Sequence, residues 1–149
     1  MAINKDEIFL NRSEIKKEAA RLHEMGYNCA QSVVCAMAPA IDLDADGAFV
    51  LAEGFGAGMG GMTETCGAIS GAVAIMGFVM SDGMENPKTK GQTYKLSREI
   101  AKRFGEKNTT TVCGTLKGIG SDKGPLRSCP GCIDDAVEIA CDVLKQLAE

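Results

Sequence analysis

Apolar positions recur along most of the chain at three- and four-residue spacing, the pattern of helices with one buried face. Over residues 6–25, Ile8, Ile15, Ala19 and Leu22 mark one side and Lys16, Lys17, Glu18 and Arg21 the other. That predicts a helix closed by Gly26, with the polar stretch 12–14 able to interrupt it and Ser13 an alternative cap. Asn28 restarts a helix, with Gln31 at the capping-box position, and Pro39 stops it. Asp44 caps another over about 45–55. The acidic residues 42, 44 and 46 before Gly47 suggest half a calcium loop, but Phe49, Val50 and Leu51 stand where oxygen donors belong. A polar connector at 81–87 leads to a long helix over 88–107, where Tyr94, Ile100, Ala101 and Phe104 alternate with Lys95, Arg98, Glu99, Lys102 and Arg103. In the last helix Ile133, Val137, Ala140, Cys141, Leu144 and Leu147 or Ala148 form the inner stripe. No convincing strand run exists. The expected fold is all-α, a single-domain multi-helix bundle over residues 1–149.

Between the fourth helix and the connector lies the stretch that organises the rest. Residues 54–61 are too glycine-rich to hold a helix, because each glycine costs backbone entropy. From Cys66 to Met80 the chain is small and apolar, which predicts a buried central helix. Thr63 or Thr65 can cap it and Glu64 suits the positive end of its dipole, so Cys66 is expected at the first helical position. Gly67 and Gly71, four apart, leave one face as bare backbone. Gly58, Gly60, Gly61 and Gly67 are the positions expected to admit a cofactor, ligand or partner thiol. They are not a dinucleotide fingerprint, since a helix and not a strand precedes them.

Composition narrows the function. A net charge of −4, five phenylalanines, two tyrosines and no tryptophan argue against a nucleic-acid surface. The opening residues are charged and lack the apolar core of a signal peptide, and the run after Cys66 is short for a membrane span. A cytoplasmic protein without membrane insertion is the expectation. Its seven cysteines are then metal ligands, redox groups or core filler more often than structural disulfides. The lone His23, near a helix end, reads as a surface residue.

Cys29, Cys66, Cys113 and Cys129 fall at or near four predicted helix starts, with Cys132 one turn beyond Cys129. Unpaired amides at such starts favour a thiolate over a thiol. If the starts converge, two chemistries are open. A close pair can cycle between dithiol and disulfide. Alternatively, Cys29, Cys66, Cys113 and Cys129 can hold zinc or an iron–sulfur cluster as an electron carrier or metal-binding module. Cys129-Pro130-Gly131-Cys132 spells a thioredoxin-type dithiol without the surrounding βαβ context. Cys35 and Cys141 read as small core residues.

The segment Asn28-Cys29-Ala30-Gln31, the glycine run into Cys66-Gly67-Ala68-x-x-Gly71, Cys113-Gly114 and a cysteine before the last helix resemble the C_GCAxxG_C_C family. The resemblance covers nearly the whole chain. It implies a redox-active protein, association with a transporter, and four family cysteines at Cys29, Cys66, Cys113 and either Cys129 or Cys132. Cys129, followed by proline, a hydrophobic residue and a helix, is the better fit to the last. The redox partner, a protein or a small thiol, is not identified by the motifs.

Overall fold

The computed structural model of the protein describes residues 4–147. Its helices are α1 (Lys5–Leu10), α2 (Arg12–Glu24), α3 (Cys29–Met37), α4 (Ala45–Ala52), α5 (Gly67–Met80), α6 (Lys90–Asn108), the single turn α7 (Cys113–Leu116) and α8 (Cys129–Leu147). Among the described residues no strand forms, and the all-α expectation holds. Ala148, a candidate for the end of the α8 stripe, and residues 1–3 of the opening segment lie outside the described residues.

Local signals set most boundaries. The Asn28 side chain accepts from the Gln31 amide while the Gln31 side chain accepts from the Asn28 amide, a complete capping box. The Asp44 carboxylate accepts from the Gly47 amide at the start of α4. Gly26, at φ +106°, turns the chain out of α2. The interruption of the first helix that the sequence allows at 12–14 falls one residue earlier. Residues 6–25 form two helices, because Asn11 leaves helical geometry at φ −94°, ψ 9° and becomes the C-cap of α1 and the N-cap of α2.

Packing centres on α5 and α8. Helix α5 lies against α3, α6 and α8; α8 also meets α1, α2 and α3. Most of the predicted stripe positions are buried, with Ile8, Ala19, Ile100, Phe104, Val137, Ala140 and Leu144 all removed from solvent, whereas Tyr94 and Leu147 are exposed and Ala101 is half-buried. The bare face of α5 is where α3 docks. A Cβ on Gly71 would lie 2.9 Å from the Ala30 carbonyl oxygen, and one on Gly67 would lie 2.9 Å from the Phe55 carbonyl oxygen and 3.3 Å from the Ala30 amide. Two glycines on one face thus let the first turn of α3 settle onto the first turn of α5. That close approach brings residue 29 to residue 66.

A second contact brings residue 113 to the same place. Thr65 and Val112 form an isolated antiparallel bridge. The Cys66 amide donates to the Thr111 carbonyl at 2.8 Å, and the Cys113 amide to the Glu64 carbonyl at 2.9 Å. Beyond α7, the amides of Leu126 and Arg127 both return to the Leu116 carbonyl, closing the loop that delivers Cys129. No helix among the described residues is long and apolar enough to cross a membrane.

Candidate functional site

The amino-terminal ends of α3, α5, α7 and α8 meet around one small cavity of about 20 Å³. Its wall contains Cys29, Cys66, Cys113, Cys129 and Cys132, and all five thiols are free. Cys66, Cys113 and Cys132 are buried, at 3–4% exposure, whereas Cys29 and Cys129 are partly open. The buried three form the floor and the other two the mouth.

Each cysteine owes its place to a local device. Cys66 is not the first residue of α5 but its N-cap, at φ −49°, ψ 132°. The bridge to Val112 holds Thr65 extended, so neither Thr63 nor Thr65 can cap as the sequence suggests and the helix begins one residue later. Cys113 opens α7, with Val112 as its cap residue. For α8, the Ser128 hydroxyl accepts from the Gly131 amide at 3.1 Å and its carbonyl accepts from the Cys132 amide at 2.9 Å. Cys129 and Cys132 therefore sit three apart on the first turn of one helix, side by side.

The electrostatics differ sharply among the five. Cys66 is lowered to about 7, first by the Cys132 thiol directed at its sulfur, then by the amides of Ala68 and Ile69, against the opposing effect of burial. No side chain caps α5, so its free amides act on the sulfur. Cys29 is pushed up to about 12, first by burial and then by the neighbouring Cys129 and Cys66. In α3 the Asn28 side chain has already taken the Gln31 amide. Cys132, which donates toward Cys66, is strongly raised, and Cys113 is raised chiefly by burial. The expectation of a favoured thiolate at each helix start is corrected here: burial and neighbouring thiolates outweigh the amides at Cys29, Cys113 and Cys132. Two pairs result, Cys66 with Cys132 on the floor and Cys29 with Cys129 at the mouth.

Two cationic residues in the wall were not singled out from the sequence. Lys117 faces Cys129, and although burial opposes its charge, the sulfurs of Cys129, Cys113 and Cys29 raise its pKa. Its position four after Cys113 was a usable signal, since a helical turn puts such residues on one side. Arg127 also lines the cavity, and its guanidinium grips buried Asp135 through two contacts of 3.1 Å. Nothing local in the sequence announces that pairing, eight residues apart across the start of α8.

The glycines divide. Gly67 packs against Ala30 and Phe55. Gly58, at φ +54°, lies under Cys113, where an added Cβ would stand 3.3 Å from its sulfur and 2.9 Å from the Glu64 carbonyl. Gly60 and Gly61 are exposed. Positive φ at Ala57, Met59 and Met62 gives the run its left-handed shape, a conformation costing roughly 1–2 kcal/mol for each non-glycine residue. Cys35 is half-buried, with its thiol 3.7 Å from the Ala45 carbonyl, and Cys141 is sealed in the core, so neither reaches the cavity. His23 lies beside the Tyr27 carbonyl at 3.0 Å, away from the cavity lining. Among the described residues, no group of three or more His, Cys, Asp or Glu side chains is arranged to hold a metal ion.

Residues 27–143 match the model of the family described as "Putative redox-active protein (C_GCAxxG_C_C)". The chain belongs to this family. The matched span contains all five cavity cysteines, and Cys29, Cys66 and Cys113, which the sequence resemblance sets at motif positions, all stand in the cavity wall. Cys129 and Cys132, both candidates for the last family position, are there together. No curated protein and no solved structure is detectably similar to the chain.

Proposed function

We propose that this member of the C_GCAxxG_C_C family is a thiol–disulfide redox protein whose working pair is Cys66 and Cys132. The observation that carries the reading is a thiolate-favouring Cys66 at an uncapped helix start, with the Cys132 thiol directed at its sulfur inside a cavity of five free cysteines. In the reduced pair Cys66 is the anion and Cys132 holds the proton. Oxidation joins the two sulfurs, and the pair gives up that proton and two electrons. The electrons pass to a peroxide, which leaves as water, or to a disulfide, which leaves as two thiols. A dithiol reductant reverses the change by thiol exchange and ends with its own sulfurs joined.

The test is peptide mapping of reduced full-length protein, purified without oxygen and then treated with diamide. With Cys129→Ser removing the neighbouring thiol that could exchange with the pair, a Cys66–Cys132 cross-link is expected, with two thiols lost, Cys141 still free, and both thiols recovered by dithiothreitol. An unchanged thiol count would overturn the reading. So would stoichiometric zinc or iron in the purified protein that disappears in Cys66→Ser, which would establish the metal-binding alternative.

A further inference from the structure

We infer that the oxidant of this centre is a small hydroperoxide, reduced at the cavity floor, and that the resulting disulfide is passed outward to the Cys29–Cys129 pair at the mouth. This rests on the redox reading above and adds the substrate class and the direction of transfer. Size carries the first half. A cavity of about 20 Å³ holds little more than one water, which needs roughly 10–15 Å³ on the same measure. Cys66 sits at its floor with 4% exposure. A disulfide substrate must bring a sulfur with carbon chains on both sides in line with the attacking thiolate. The floor has no room for that, whereas hydrogen peroxide is two heavy atoms long.

The steps balance without any resident cofactor. The Cys66 thiolate attacks one peroxide oxygen and the O–O bond breaks. The departing hydroxide takes a proton from solvent and leaves as water, and Cys66 becomes a sulfenic acid. The Cys132 thiol displaces that hydroxyl as a second water, forming the Cys66–Cys132 disulfide. Lys117 and Arg127 place positive charge in the wall where the oxygen departs.

Position carries the second half. Cys129 lies beside Cys132 on the first turn of α8 and beside Cys29 across the mouth. Cys129, giving up its proton to solvent, attacks the Cys132 sulfur and frees Cys66 as thiolate. Cys29, losing its proton, then attacks the Cys129 sulfur, and the released Cys132 sulfur is reprotonated. The direction follows from position: the transfer restores the buried Cys66 and Cys132 as a reduced pair, and Cys29 and Cys129 are the partly open cysteines that an external reductant can reach. The Cys29–Cys129 disulfide then stands at the partly open mouth, where an external dithiol can reduce it.

Reduced full-length protein is mixed with equal concentrations of hydrogen peroxide or oxidised glutathione, quenched with acid and alkylated, and its peptides are mapped. In Cys129→Ser, where the disulfide stays at Cys66, hydrogen peroxide should consume the Cys66 thiol at least about tenfold faster. In Cys132→Ser, dimedone added together with denaturant should label the Cys66 sulfenic acid. In wild type one equivalent of peroxide should end as Cys29–Cys129, and in Cys129→Ser it should stop at Cys66–Cys132. A rate with glutathione disulfide equal to or above that with peroxide would overturn the inference while leaving the redox centre in place. Absent dimedone label, or a wild-type disulfide that stays at Cys66–Cys132, would do the same. Failure of diamide and both test oxidants to join any cavity cysteines would remove the redox reading as well.

Discussion

At the scale of single residues, Cys29 and Cys66 show how two identical groups at two helix starts acquire opposite properties. Both positions were legible, since asparagine before Cys29 and a glycine run before Cys66 mark helix entry. What the sequence did not disclose was who uses the amides. In α3 the Asn28 oxygen takes one; in α5 no side chain does, and Ala68 and Ile69 act on sulfur. Cys66 alkylation by iodoacetamide should therefore rise with pH to half its plateau near 7, while Cys29 and Cys132 stay unreactive at that pH. Cys132→Ala removes the largest influence lowering Cys66, so the midpoint should move upward and the rate at pH 7 fall several-fold. An unmoved midpoint would show that the helix amides alone hold the thiolate. The same shift bears on stability. The folded value of Cys66 lies below its unfolded one, so its thiolate supports the fold above the unfolded value. That support is lost as pH falls through about 7.

At the scale of elements, the site is assembled by one tight helix pair and one isolated bridge. The bare Gly67/Gly71 face could be read from spacing alone, and so could the capping box that starts α3. That the two belong together could not, because neither segment encodes its partner. The Thr65–Val112 bridge was equally hidden: 47 residues separate its ends, and it displaces the start of α5 to make Cys66 the cap. Gly71→Ala would put a methyl 2.9 Å from the Ala30 carbonyl and 3.1 Å from the Val33 Cβ, so α3 and α5 must part. The expected loss is ~1–3 kcal/mol, as for other overpacked cores, read as a lower urea midpoint. Moving Cys29 away from Cys66 should also lower its own raised pKa, since Cys66 is among the causes. Gly91→Ala is the control, because a Cβ on that residue of α6 meets nothing within 4 Å. It should be neutral or stabilising by up to ~1 kcal/mol. Equal losses in both variants would mean that the α3–α5 approach is not what Gly71 provides.

Across the whole molecule, a buried clasp links the cavity wall to the far end of α6. Asp135 is fully buried on α8 and is bound by Arg127 from the loop and by Lys107 and Asn108 from the end of α6. Its burial would raise the carboxyl pKa, but these three donors more than offset that and hold it below the ordinary value. The clasp thus ties α6, the loop and the first turns of α8, and Arg127 carries it to the cavity wall. A carboxylate with a depressed folded pKa stabilises fully above its unfolded value, and the contribution disappears as pH falls through the folded value. Asp135→Asn should accordingly cost about 1.5–3 kcal/mol at pH 7, the range for hydrogen bonds to a charged group. Both cations are partly exposed and can turn to water, so no stranded charge adds to that loss. Below the ordinary carboxylate range the difference from wild type should shrink and then vanish, as the wild-type carboxyl takes up its proton. Urea unfolding at pH 7, 4 and 2.5 measures the gap directly. A gap that stayed constant through acid would mean that Asp135 acts by shape and not by charge. Because the loop that carries Arg127 also delivers Cys129, the variant should expose Cys132 as well, and its alkylation at pH 8 should quicken. If the stability gap follows the acid limb but Cys132 stays protected, the clasp secures the bundle without guarding the cavity.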